Sequence, residues 1–128
     1  MTSPARAGVF IYAKDLPRVA AFYAAVLGMR QLHATDEMAI LASPDLQLLV
    51  HRIPAHIAAD IHIETPPVRR ENSAIKFFAT VASLTEPGAT AASLGGALFD
   101  ERWQGPGFVV CNAMDPEGNV FQIREPVA

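Results

Sequence analysis

The stretch VFIYAKDLPRVAAFYAAVLGM, residues 9–29, decides the fold prediction. Its first five residues are apolar and rich in strand formers. Asp15 and Pro17 are typical of the N-cap and first turn of a helix. Apolar residues then recur at helical spacing as far as Leu27, and Gly28 is suited to end the helix. The stretch therefore predicts a strand followed by a helix with one buried face.

Three further strands are predicted after this helix, over residues 30–34, 38–42 and 46–52. The second half repeats the same order: a strand over 75–81, a helix that starts at residues 85–87 and ends at Gly95-Gly96, and strands over 97–101, 108–113 and 119–125. Aligning the halves places Asp15 on Ser83 and Gly28 on Gly96, so the cap and the glycine stop coincide. An internal repeat of this kind governs the fold prediction more than any single motif.

We therefore predict an α+β fold in which two βαβββ repeats form a cupped mixed sheet with the helices outside. The prediction is a single domain over residues 1–128, with half-modules at about 6–53 and 73–127. The connector, residues 54–72, contains three prolines and no sustained periodicity. Within it, residues 61–64 are a candidate extra strand.

Composition excludes several classes of protein. A hydrophobic fraction of 51% argues against a disordered chain, and a formal charge of −3 with scattered basic residues argues against nucleic acid as a partner. The single cysteine cannot form an internal disulfide and suits a reducing compartment. No apolar run approaches the roughly 20 residues of a membrane span, and no signal peptide is visible. We expect a cytoplasmic protein without membrane contact.

Two motifs resemble the vicinal-oxygen-chelate superfamily, the glyoxalase, bleomycin resistance and dioxygenase type. They are YAKDLPRVAAFYAAVLGM over residues 12–29 and DPEGNVFQ over residues 115–122. The resemblance implies the glyoxalase/bleomycin resistance fold, a cup that takes a small organic molecule, and a homodimer.

Metalloenzymes of this superfamily hold their ion with four ligands, mainly His and Glu, on four strands that face the cup. The corresponding positions here are Gly8, Gln47, Lys76 and Gln122, of which Gln47 is the least securely aligned. Glycine offers no side chain, lysine repels a cation, and glutamine is a weak neutral ligand, whereas borderline metals prefer imidazole, thiolate or carboxylate. We therefore expect neither a metal centre of the family type nor another cofactor.

Strand alternation predicts which side chains face the cup, because successive side chains point to opposite sides of a sheet. The side chains on one side of the strands, Ile75 among them, are apolar, and we expect them to pack against the helices. The side chains on the opposite side are a mixture of polar and aromatic residues, and we name that side the cup face. Trp103 is placed on a loop over residues 101–107, as a lid or an anchor. The predicted ligand-binding residues are Phe10, Tyr12, Gln47, His51, Lys76, Phe78, Trp103, Gln122 and Arg124.

Two of these residues have alternative readings. The candidate roles of His51 are a catalytic base, a contact to the ligand, and a hydrogen-bonded residue at the rim of the cup. The candidate roles of Lys76 are an ion pair with an anionic group of the ligand, a solvated surface charge, and an ion pair with Glu125 or Glu71. His33, His56 and His62 are expected on the surface, and Cys111 as a small buried apolar group.

Three functions follow from these readings. The first is a metal-free protein that binds a small molecule. The alternative is a metal-dependent lyase, isomerase or extradiol dioxygenase with non-standard ligands, such as His51 with Glu64 or Glu125. The third is metal-free acid–base catalysis by His51 and Lys76. Whether the protein is an enzyme stays open at this point, and no catalytic residue is assigned.

Overall fold

The computed structural model describes residues 4–127, so residues 1–3 and 128 of the predicted domain lie outside this range. The first half consists of β1 (Gly8–Ala13), α1 (Leu16–Leu27), β2 (Arg30–Ala34), β3 (Met38–Ala42) and β4 (Gln47–Arg52). A short helix, α2 (Ala55–Ala58), follows. The second half consists of β5 (Phe78–Thr80), α3 (Thr85–Ser93), β6 (Ala97–Leu98), β7 (Trp103–Gly105), β8 (Phe108–Met114) and β9 (Val120–Pro126).

The two halves form two sheets with the same strand arrangement. Their orders are β1-β4-β3-β2 and β5-β9-β8-β6, and β7 pairs with β8 outside the second path. In each sheet the first strand runs parallel to the last, and the other pairings are antiparallel. The predicted α+β class and its two βαβββ repeats are therefore confirmed. Each sheet has its first strand at an edge.

The predicted caps position α1 on this framework. The Asp15 carboxylate accepts a hydrogen bond from the Arg18 backbone N–H at 3.3 Å, and Gly28 adopts a left-handed conformation with φ 64°. A residue with a Cβ is strained at that φ, which explains the glycine stop. The helix then packs Phe22 and Tyr23 against Phe121 of the second sheet, with ring centroids 6.2 and 5.3 Å away. One core thus spans both halves.

The turn DPEGN between β8 and β9 fastens the second half to the start of α1. Asp115, fully buried, accepts hydrogen bonds from the Tyr23 hydroxyl at 2.8 Å and from the backbone N–H groups of Glu117 and Asn119. The Glu117 carboxylate accepts the N–H groups of Lys14 at 2.8 Å and Asp15 at 2.7 Å. Its carboxylate therefore satisfies backbone donors beside the helix start, where negative charge is favoured.

Several local predictions were wrong. The strand predicted over 75–81 is reduced to Phe78–Thr80, with one further backbone hydrogen bond to β9 on each side, from Phe77 and Val81. Ile75 is 85% exposed instead of facing the helices. The strand predicted over 97–101 keeps only Ala97–Leu98. Residues 61–64 form no strand, and the connector contains α2 instead. Trp103 lies in β7 instead of a loop, because the turn at residues 106–107 folds β7 back onto β8.

None of the helices within residues 4–127 is both long enough and apolar enough to cross a membrane.

Candidate functional site

The predicted alternation is present in the strands that form the cup face. On β1, Ile11 and Ala13 are buried beneath the helices, whereas Phe10 and Tyr12 are 61% and 58% exposed. Leu48 and Val50 of β4 and Phe121 and Ile123 of β9 are buried in the same alternating way. The side opposite the helices therefore presents aromatic and polar side chains, as predicted.

The first sheet places an aromatic group beside His51. Tyr12 is the register partner of His51, and their ring centroids are 5.8 Å apart. Phe10 lies next to Tyr12 at 6.2 Å. The Nδ1 atom of His51 lies 2.8 Å from the backbone carbonyl of Arg52. Because a carbonyl only accepts, Nδ1 donates in this contact, and Nε2 is the ring nitrogen left for a ligand.

The second sheet holds Arg124 against two phenylalanine rings. Its guanidinium carbon lies 3.7 Å from the ring centroid of Phe78 and 4.2 Å from that of Phe108. Both distances are within the range of a cation–π interaction. Phe108 was not among the predicted site residues. Trp103 extends this region. It is the register partner of Val110, and Val110 is the register partner of Arg124. The three side chains therefore form one row across the sheet.

Lys76 is bonded to a neutral partner. Its Nζ donates to the Asn112 side-chain oxygen at 3.2 Å, and Asn112 is the register partner of Gln122. The acidic partners considered for Lys76 are engaged elsewhere: the Glu125 carboxylate accepts the Leu84 N–H at 2.8 Å, and Glu71 lies 3.4 Å from Arg69. Asn112 was missed as well. Its signal was its even spacing with Phe108 and Val110 on the predicted strand.

The four positions to which the resemblance assigns metal ligands do not offer donors that suit a divalent ion. A Cβ added to Gly8 would lie 2.8 Å from the backbone oxygen of Gln47, so the position is closed to any side chain unless the backbone shifts. Lys76 and Gln122 offer a cation and a neutral amide. Over residues 4–127, no three His, Cys, Asp or Glu side chains cluster as a metal site would require.

Two cavities lie between the sheets. One, of about 560 Å³, is lined by Phe10, Tyr12 and Lys76, so residues from both halves meet there. The other, of about 460 Å³, is lined by Phe78 and Thr80 of β5 and by Leu46 before β4. Gln47 lies apart from these residues and lines a further cavity, of about 1060 Å³, with Arg6 and Leu32.

The remaining candidate side chains lie outside this region. His33, His56 and His62 are exposed. Cys111 is fully buried on the helix side of β8, and burial raises the pKa of its thiol above the ordinary value, which disfavours the thiolate. These residues add no reactive group to the cup face.

Comparison with known proteins gives a family and several structural relatives. The family described as a glyoxalase-like domain matches residues 8–124. No curated protein matches the chain. A glyoxalase/bleomycin resistance protein/dioxygenase family enzyme from Burkholderia phytofirmans PsJN has a similar structure, with a TM-score of 0.68 at 20% identity, covering 97% of this chain and 100% of the other.

Two further relatives have specific names. The bleomycin-binding protein of Streptomyces verticillus, solved with copper(II)-bleomycin, gives a TM-score of 0.60 at 18% identity, covering 99% of this chain and 100% of its own. A fosfomycin resistance protein from Listeria monocytogenes gives 0.66 at 14% identity, covering 99% and 96%. At these identities the likeness establishes the fold.

Proposed function

Because this chain belongs to the glyoxalase-like domain family of the vicinal-oxygen-chelate superfamily, we propose that it binds a small organic molecule on its cup face without a resident metal ion. The observation that carries the proposal is the content of the four family ligand positions. Gly8 has no side chain and no room for one unless the backbone shifts, Lys76 is a cation, and Gln47 and Gln122 are neutral amides.

The exposed aromatic side chains support an organic ligand. Phe10, Tyr12 and Phe78 are each more than half exposed, and Trp103 is 41% exposed. Small-molecule sites combine aromatic walls with a few polar groups, and here these are His51, Lys76 and Arg124. Relatives of the same fold are named for bleomycin binding and for fosfomycin resistance, which supports a small organic ligand.

The metal-free part is tested by elemental analysis of protein purified without chelators. We expect less than stoichiometric zinc, nickel, manganese and iron, and no rise in Tm when these ions are added. A stoichiometric ion that raises Tm would support the metal-dependent alternative, with ligands such as His51 and Glu64 or Glu125, and would overturn the proposal.

The binding part is tested by a fluorescence screen that follows Trp103, the single tryptophan of the chain, against aromatic antibiotics, thiols and α-ketoaldehydes. A hit should weaken in Phe10→Ala and Phe78→Ala, both of which alter exposed side chains. Ile57→Ala is the matched control, because Ile57 is 48% exposed but lies on α2, away from the cup face. Equal weakening in all three variants would place the ligand elsewhere.

We further propose that the protein is a cytoplasmic homodimer. The edge strands β1 and β5 leave backbone groups unpaired on one side, and a second copy would cover them. Sedimentation at micromolar concentration should give the mass of two chains. A monomer under these conditions would contradict the dimer but not the binding function.

Metal-free general-base catalysis is a second candidate, favoured by the position of His51 beside Tyr12, with its Nδ1 held by the Arg52 carbonyl and its Nε2 left for a ligand. If the screen finds a ligand that is also converted, His51→Ala should lower kcat by about 100-fold or more, with little change in affinity. Unchanged turnover would remove His51 from any catalytic role.

A further inference from the structure

The guanidinium of Arg124 carries a charge that no carboxylate in the described chain neutralises. The only ion pair within residues 4–127 joins Arg69 to Glu71. The Nε atom of Arg124 is buried and has no hydrogen-bond partner. A guanidinium only donates hydrogen bonds, so this buried N–H has no partner within residues 4–127. A buried donor without a partner is unfavourable. Because Nε is covered, an anion can reach the guanidinium only at its terminal nitrogens.

The surroundings of Arg124 on the cup face are positive or neutral. Its neighbours there are Phe78, Phe108, Val110 and Thr80. The nearest acidic residue in sequence, Glu125, points to the other side of the sheet, where it accepts the Leu84 N–H. Further along the same face, Lys76 adds a second positive charge, bonded only to the amide of Asn112. This region is therefore cationic, although the chain as a whole carries a formal charge of −3.

We infer that the ligand is a small aromatic molecule that carries a carboxylate, phosphonate or phosphate group, and that Arg124 receives this anionic group. The inference rests on the proposed binding function and names its ligand class. A guanidinium presents parallel N–H donors that match the oxygens of such an anion. The two rings hold the guanidinium in place, so less side-chain freedom is lost on binding. The exposed rings of Phe78 and Trp103 are within the same region for contact with an aromatic body.

The test compares four probes of similar size: benzoate, phenylphosphonate, benzamide and benzylammonium. Affinities are measured by Trp103 fluorescence and independently by isothermal titration calorimetry. We expect the affinities for benzoate and phenylphosphonate to be at least about tenfold higher than the affinity for benzamide, and benzylammonium to bind weakest. The preference should shrink as salt is added, because it is electrostatic. This comparison uses the unmodified protein and does not depend on the folding of a variant.

The role of Arg124 is tested with Arg124→Gln. The affinity for benzoate should fall about tenfold or more, to that of benzamide, while the affinity for benzamide stays the same. Arg30→Gln removes an equal charge from β2 of the other sheet and should leave all four affinities unchanged. Arg124→Lys keeps the charge without the planar fork and should give an intermediate affinity for the anions.

The outcomes separate this inference from the proposed function. If neutral or cationic aromatic probes bind as well as the anions, or if Arg124→Gln keeps the preference, the inference fails and the binding function stands. If none of the four probes binds by either method, the inference fails. If the broader screen also finds no ligand, the proposed function fails with it.

Discussion

The phenol hydroxyl of Tyr23 on α1 lies 2.8 Å from a carboxylate oxygen of Asp115, in the turn before β9. Both side chains are fully buried, and 92 residues separate them along the chain. Tyr23 belongs to the first of the two motifs that carry the family resemblance, and Asp115 opens the second. The two motifs are therefore in direct contact, and the bond between them holds the first half of the chain to the second.

Tyr23→Phe removes the hydroxyl and keeps the ring. Asp115 keeps the donors of Glu117 and Asn119 but loses a buried charged hydrogen bond, so we expect the free energy of unfolding to fall by about 1–3 kcal/mol. Urea denaturation followed by circular dichroism measures this change. Tyr12→Phe alters an exposed hydroxyl and should stay within about 0.5 kcal/mol of the wild type. Equal midpoints for the two variants would contradict a stabilising role for the bond.

The same tyrosine should make the fold sensitive to alkali. Burial, and then the charge and hydrogen bond of Asp115, hold the pKa of Tyr23 well above its ordinary value. In the unfolded chain the phenol ionises at about pH 10, so the stability that the buried tyrosine contributes is fully present below that pH. As the pH rises further, the unfolded state loses its proton first, and stability falls. Urea midpoints between about pH 9 and 11 should fall less steeply for Tyr23→Phe than for the wild type. Parallel profiles would show that Tyr23 does not cause the loss.

Glu117→Gln tests the second link between the halves. A glutamine has one accepting oxygen and no charge, so the N–H groups of Lys14 and Asp15 cannot both keep a carboxylate partner. We expect a loss of about 1–3 kcal/mol in the free energy of unfolding. Glu37→Gln is the matched control, since Glu37 is exposed, and should be near neutral. If Glu117→Gln is also neutral, the carboxylate does not hold α1.

Alanine in place of two different glycines should change the stability of the fold in opposite directions. Gly8→Ala places a Cβ 2.8 Å from the backbone oxygen of Gln47, so β1 or β4 must shift, at about 1–3 kcal/mol. A Cβ at Gly88, within α3, meets nothing within 4 Å. There alanine should stabilise by about 0.5–1 kcal/mol, because it favours the helix. Thermal melts of both variants measure the signs. A neutral Gly8→Ala would remove the steric reason for glycine at the first family ligand position.

The strong local signals in the sequence predicted the fold. Asp15 and Gly28 mark the ends of α1, and clear alternation on β1, β4 and β9 separates the cup face from the core. The weaker signals failed for physical reasons. β5 is an edge strand that pairs on one side only, so the apolar alternation of Ile75, Phe77 and Ala79 overestimated its length.

The missed site residues also have a physical explanation. Both faces of β8 are largely apolar, so the even spacing of Phe108 and Asn112 did not by itself show that they share the cup face with Arg124 and Gln122. The contact of Arg124 with Phe78 and Phe108 depends on strand register. Register between strands so far apart in sequence is set by the whole fold.

The carboxylate of Glu117 makes the folding of the first half of the chain depend on the second half. A repeat suggests two similar units that each stand alone, yet α1 of the first unit relies on an acid and on aromatic partners from the second. Fragments divided within residues 54–72 should therefore stay unfolded singly and fold only when mixed. Refolding them apart and together, followed by circular dichroism, would show whether complementation is obligatory.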